Sequence, residues 1–249
     1  MKYIIFLFSV ITFISLANEK IPQTNVTQLD VPQLKIVEIS NDVYQHISYK
    51  HVKPWGMVAA SGLVVIDGND AYIIDTPWSL ADTQQLIKWI KSKGLKLKAS
   101  VVTHFHEDAS AGIPILNRSK IKTYALSLTN ELLALNNKEQ SSDEIISDNY
   151  VLVPNTIEIF YPGAGHSHDN IVVWLPKSKV LFGGCFVKSI ESKNLGNTAD
   201  ASISSWPKSI EKVISQYPDI NIVVPGHGKI GDINLLKHTA LLARDKSML

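Results

Sequence analysis

Six side chains with metal-ligating chemistry recur at a few places along the chain. His104, His106 and Asp108 lie within five residues of one another in "THFHEDASAG". His166 follows in "GAGHSHDN", Cys185 in "GGCFVK" and His227 in "PGHG". The chain holds eight histidines and one cysteine, so these six residues take half of the first and all of the second. Imidazole, carboxylate and thiolate are the donors that zinc accepts. The i, i+2 spacing of His104 and His106 suits an extended segment or a turn. It is not the i, i+4 pair of the helical HExxH sites, and that motif is absent. Taken singly, each motif also reads as a polar loop with solvated histidines. Taken together, all six residues follow apolar runs, and a metal site is the reading that accounts for them.

For these residues to meet, strands must deliver them. "LKIVEIS" and "VYQHISY" alternate as half-buried strands do. "GLVVIDG" and "AYIIDT" read as a hairpin joined near Asp67–Asp70, and Lys53–Met57 reads as a loop that presents Trp55. Ser79 caps a helix to about Lys93, with Leu86, Ile87 and Ile90 on one face and Gly94 at its end. "KASVVT" returns as a strand and delivers His104, at the C-terminal edge where open α/β sheets place their chemistry. A helix near Leu126–Leu135 and a polar stretch around Gln140–Asn149 follow. In the second half, "TIEIFYPG" reads as a strand ending near His166, and "NIVVWLP" with "KVLFGG" as a hairpin running into Cys185. Ile203–Ile214 reads as a helix, "INIVVPGHG" as a strand ending at His227, and Ile233–Arg244 as the last helix. The expected architecture is α/β, with sheets inside and helices outside in a four-layer sandwich.

In this order the four motifs, with "DTPW" near residue 75 and "LGN" at Leu195–Asn197, resemble the metallo-β-lactamases. The match is to the di-zinc subclass with a cysteine ligand, which includes the imipenemase-type enzymes, and it spans nearly the whole chain after the leader. The resemblance implies the αββα metallo-β-lactamase fold and hydrolysis of penicillins, cephalosporins and carbapenems, hence antibiotic resistance. It implies two Zn2+ per chain. His104, His106 and His166 would bind the first, and Asp108, Cys185 and His227 the second. A zinc-held hydroxide would attack the β-lactam carbonyl with no covalent acyl-enzyme, and Asp108 would help orient it. Lys188 would bind the substrate carboxylate, the alternative being a solvated lysine. Asn197 would help hold the carbonyl oxygen or carboxylate, or else serve only as a turn residue. Trp55 and Trp78 would form an apolar wall or flap, the alternative for Trp78 being plain packing, and Asp75 would support the ligands from below. His168, two residues after His166, is unusual for the subclass, and Glu107 adds negative charge between two ligands.

Two rivals meet objections in the sequence. A thioesterase like glyoxalase II would carry a histidine directly after Asp108, where this chain has Ala109, and an aspartate in place of Cys185. A zinc-storage protein would close each metal with four ligands, whereas six ligands over two metals leave positions open for catalysis.

Composition bounds the rest. The 249 residues are 45% hydrophobic and 19% charged, enough for a substantial core. The net charge of +1, without a basic run, gives no footing for nucleic acid. "MKYIIFLFSVITFISLANEK" reads as a signal peptide cut after Ala17. Its apolar run is shorter than the roughly 20 residues a spanning helix needs. The expectation is a leader at residues 1–17 and one domain at 18–249, exported to the periplasm and free of the membrane after cleavage. The mature protein is expected to be a monomer. A single cysteine excludes an intrachain disulfide.

Overall fold

In the computed structural model, which describes residues 31–248, the alternating N-terminal runs pair in sequence order. Strands β1 (Lys35–Ser40), β2 (Val43–Val52), β3 (Gly56–Asp67) and β4 (Asp70–Ile74) form an antiparallel ladder. The expected leader lies outside the described residues. Helix α1 (Leu80–Ser92) then crosses to β5 (Lys96–Val101), which runs parallel to β4. Ser79 Oγ accepts the Asp82 N–H at 3.0 Å, as a capping serine does. Gly94 leaves the helix at φ +76°, a left-handed turn that favours glycine. The face read from the sequence is the buried one. Leu86 and Ile90 pack on Val64 and Ile73 of the sheet, each worth about 1.5–3 kcal/mol of burial.

The short helices α2 (Glu107–Ser110) and α3 (Ile113–Arg118) lead to β6 (Lys122–Leu126), α4 (Ser127–Leu135) and β7 (Asp143–Ile145). Sheet one thus runs β1 to β7 in order. Sheet two comprises β8 (Asn149–Val153), β9 (Ile157–Phe160), β10 (Val172–Leu175), β11 (Val180–Lys188) and, after α5 (Trp206–Gln216), β12 (Ile222–His227). Helix α6 (Asn234–Ser247) closes the chain. Leu63, Val65, Val101, Val173, Phe182 and Val224 fill the space between the sheets. Helices α5 and α6 cover the outer face of sheet two through Trp206, Ile210, Val213 and Leu236. The layers are therefore helix, sheet, sheet, helix, as expected.

Several boundaries differ from the sequence reading, each for a local reason. The loop at Lys53–Met57 is shorter, because β3 begins at Gly56 and pairs with Val52, leaving Lys53–Trp55 as the tip. The strand expected to end near His166 stops at Phe160. The helix expected from Ile203 starts at Trp206, with a proline in its first turn, where the missing N–H costs nothing. The polar stretch holds β7 and leads into β8. It is pinned by Ser142 Oγ, which accepts the Thr123 N–H at 3.0 Å, and by Asn130 Oδ1, which accepts the Ser141 N–H at 2.8 Å.

One buried histidine sits within sheet one. His46 on β2 faces Gly62 on β3, where a Cβ would lie 2.3 Å from His46 Nε2 and 2.6 Å from the Ile74 carbonyl. Glycine alone leaves room for the ring. His46 Nε2–H donates to the Asp75 carbonyl at 3.0 Å. Burial pushes its pKa down from 6.5 to about 4. Between those values the unfolded chain binds the extra proton, so stability falls as pH falls through the window. At ~1.4 kcal/mol per pH unit this is about 3 kcal/mol. In the metal-free protein, the stability advantage of the native chain over His46→Gln should therefore shrink between pH 6.5 and 4. Denaturant titrations across that range check it, and a constant difference would refute the buried neutral ring.

Candidate metal centre

The metal-loop conformation is set by two buried carboxyl groups. Asp75, one residue past β4 at φ +55°, accepts the Thr103 N–H at 2.7 Å and the Thr103 hydroxyl at 2.8 Å. Asp169 accepts the Phe105 N–H at 2.9 Å. Burial raises the pKa of both, Asp75 to about 8, against the bonds from Thr103. Strand β5 ends at Val101, so His104 stands three residues beyond it. Asp108 falls in the first turn of α2, with Oδ1 3.6 Å from His104 Nε2.

Hydrogen bonds to outer atoms fix which ring nitrogen of His104, His106 and His227 carries a lone pair. Thr103 Oγ1 gives its proton to Asp75, so at 3.2 Å it accepts from His104 Nδ1–H. His104 Nε2 is then a lone pair, and it is buried with no partner. His106 Nε2–H donates to Asp200 Oδ2 at 2.9 Å, leaving His106 Nδ1 as a lone pair 3.1 Å from His166 Nε2. The ligating atoms of His104, His106 and His166 all lie within 4.8 Å of one another. His166 Nδ1 is buried without a partner, so no outer hydrogen bond competes for this ring, and three converging imidazoles fit a divalent cation.

The second donor set adjoins the first. Cys185 Sγ is 3.1 Å from Asp108 Oδ2 and 3.3 Å from His227 Nε2, and the latter is 3.1 Å from Asp108 Oδ2. His227 Nδ1–H donates to the Ala59 carbonyl at 2.7 Å, which turns Nε2 toward the carboxylate and the sulfur. His104 also lies within 4.8 Å of Asp108 and Cys185, so it sits between the sets. Cys185 reaches this position through a break in the β11–β12 ladder. Gly184 pairs with Pro225, and pairing resumes at Lys188 opposite His227, four residues against two.

Charges follow the same logic. Burial pushes His104 down to about 3, and burial and then Lys188 push His166 well down, so both imidazoles are neutral and free to ligate. Burial, with Asp108 next to it, pushes the Cys185 thiol well up. Only a bound cation would hold that sulfur as thiolate. Burial works to raise Asp108 as well, but the His227, His104 and Cys185 contacts outweigh it and keep the carboxylate ionised.

Both sets open on a cavity of about 570 Å³. Trp55, 57% exposed at the β2–β3 tip, forms one wall with Val58. Trp78 forms another, its ring centroid 5.9 Å from that of His227. Lys188 and Asn197 also line the cavity. The Lys188 ammonium stands 5.4 Å from the Trp206 ring centroid, and burial lowers its pKa. Asn197 Oδ1 accepts the Ala199 N–H at 3.2 Å, so it shapes its own turn while exposed to the cavity. Glu107 is ion-paired with Lys50 of β2. His168 is exposed and outside the cavity, and its carbonyl accepts from Tyr161 at 2.8 Å.

All six expected ligands therefore come together, and Lys188, Asn197 and Trp55 stand around them. Asp200, Asp169 and the Lys50–Glu107 pair escaped the sequence reading. No local signal marks them, because their partners lie far away along the chain.

Comparison with known proteins agrees with this geometry. Residues 55–227 match the model of the metallo-beta-lactamase superfamily, and the chain belongs to that family. Among its relatives are metallo-beta-lactamase type 2 of Pseudomonas aeruginosa, 46% identical over 84% of both chains, and of Bacteroides fragilis, 35% identical over 83% of this chain and 84% of that one. Among solved structures, VMB-1 is 62% identical with a TM-score of 0.85, over 86% of this chain and 98% of that one. DIM-1, exposed to ceftazidime, is 50% identical with a TM-score of 0.86, over 87% and 99%.

Proposed function

We infer that this chain is a zinc-dependent hydrolase that opens the amide bond of β-lactams, carbapenems included, and so confers resistance. The observation that carries the reading is the convergence of two donor sets, one of nitrogens and one of nitrogen, oxygen and sulfur, beneath an apolar-walled cavity. His104, His106 and His166 hold one zinc, and Asp108, Cys185 and His227 a second. Bound zinc supplies Lewis acidity and brings the pKa of a water down to about 7. The chain's own groups do the rest. Thr103, Asp200 and Ala59 fix the imidazole orientations. Asp108 orients the attacking water and manages its proton. Asn197 donates to the carbonyl oxygen, while Trp55 and Trp78 exclude bulk solvent. Among the described residues the cavity wall carries no serine or threonine, in keeping with hydrolysis without an acyl-enzyme. The thioesterase alternative lacks its extra ligand, since Ala109 is buried and has no donor atom. Export to the periplasm is supported by the apolar leader with small residues at its end, and the mature protein acts as a monomer.

The deciding experiment is carbapenem hydrolysis by the purified protein, followed by absorbance before chelation, after it, and after zinc is restored. Loss and recovery support the reading. A folded, zinc-loaded protein with no hydrolysis refutes it. Within this reading, Lys188→Ala removes a charged hydrogen bond to the substrate carboxylate. KM should rise about tenfold, the effect of losing one such bond, with zinc content intact. An unchanged KM across several β-lactams would take Lys188 out of the site.

A further inference from the structure

A β-lactam carries one carboxylate on its fused ring, and some carry a second acidic group on the side chain. That side chain leaves from the carbon beside the lactam carbonyl, at the other end of the bicycle from the ring carboxylate. With the ring carboxylate on Lys188, the side chain points away from Lys188. Besides Lys188, the cavity wall holds further cations.

Lys53 is exposed at the hairpin tip, and Lys50 is paired with Glu107. Lys138 is built in. Its N–H bonds to the Leu133 carbonyl at 2.9 Å, closing α4. Its ammonium donates to the Phe105 carbonyl at 3.3 Å and stands 5.8 Å from the Phe105 ring centroid. Phe105 lies between two of the histidines, so Lys138 is fixed beside the metal loop. Among the described residues no carboxylate lies within 4.0 Å of it. One donor is used and two remain. Glu107 is the nearby counter-charge. Lys50 first, and Lys138 more weakly, hold its carboxylate below the usual range. Lys50 is taken up by Glu107, and Asp108, the other carboxylate near Glu107, belongs to the second donor set, so Lys138 has no carboxylate of its own. Lys188 belongs to sheet two and Lys138 to the side of sheet one, so the ammonium groups approach the centre from the two halves of the sandwich.

We propose that Lys138 recognises a second anionic group on the substrate side chain, so that the enzyme prefers dianionic β-lactams to otherwise identical monoanions. This rests on the β-lactam reading above. The test uses benzylpenicillin and its α-carboxy derivative, which differ by one carboxylate. KM for each is measured on the zinc-loaded native chain, Lys138→Met and Lys138→Arg. Binding of each to the metal-free protein is read by tryptophan quenching. Lys138→Met should raise the dianion-to-monoanion KM ratio about fivefold, as loss of one partly exposed charge contact would. The Kd ratio should move the same way, Lys138→Arg should restore both, and added salt should shrink the difference. Hydrolysis of both penicillins with ratios unmoved by Lys138→Met overturns the proposal and leaves the β-lactam reading standing. If neither is hydrolysed, that reading fails and the Kd ratio alone decides for Lys138. Absence of binding by either penicillin overturns the proposal as well.

Discussion

Replacing Cys185 with serine should lower turnover about a hundredfold or more and, of the two zincs proposed above, leave only one tightly held. Disturbing outer partners of a metal ligand already costs about 10–100-fold, and here a ligand itself is lost. The sulfur lies 3.1 Å from Asp108 Oδ2 and 3.3 Å from His227 Nε2, at the centre of its donor set. Serine fits the space, but its hydroxyl does not ionise at neutral pH as a metal-bound thiol does. Asp108 and His227 would be left as two donors for a metal that needs more. The His104, His106 and His166 set is untouched, so the loss is selective. Elemental analysis and kcat on the same sample test this together. Full zinc content with normal turnover would remove Cys185 from the centre.

Gly226→Ala should be nearly as damaging, by a different route. A Cβ at Gly226 would stand 2.6 Å from both the backbone nitrogen and the sulfur of Cys185, and 2.8 Å from the Gly184 carbonyl carbon. Two of those atoms are backbone, so no side-chain rotation relieves the clash, and β11 and β12 must move apart. Overpacking of a tight core costs about 1–3 kcal/mol, occasionally more, and this site is at the upper end. The displaced neighbours are Cys185 and His227, so the same metal should be lost as in Cys185→Ser. Denaturant unfolding of the metal-free variant gives the first effect and zinc stoichiometry the second. Stability within 1 kcal/mol of native together with full zinc binding would show that the strands have slack the packing denies.

The candidate ligands were legible because they cluster in short motifs that follow apolar runs, and the ends of strands at one sheet edge are where distant segments meet. The order of elements was legible for a related reason. Periodicity is local, and so is a cap such as Ser79. What the sequence hid is non-local. Asp200 is 94 residues from the His106 it orients, Asp169 is 64 from Phe105, and the Ala59 carbonyl is 168 from His227. No spacing rule connects such pairs. Strands β6, β7 and β8 were missed because they are short and partly polar, and their pairing partners rather than their own patterns make them strands. The irregular β11–β12 ladder was equally invisible, since "GGC" does not say how its partner strand resumes register.

Each donor set draws from both sheets. The first takes His104 and His106 from one and His166 from the other, and the second takes Asp108 from one and Cys185 and His227 from the other. A metal bound to either set is therefore a clasp across the seam of the sandwich, and the native state alone presents it. By mass action, free zinc at a hundred times its dissociation constant adds about 2.7 kcal/mol to the folded state. Surroundings starved of zinc would therefore loosen the two halves and expose the chain to proteases. The amount of enzyme that survives, and not only its activity, is then governed by metal supply.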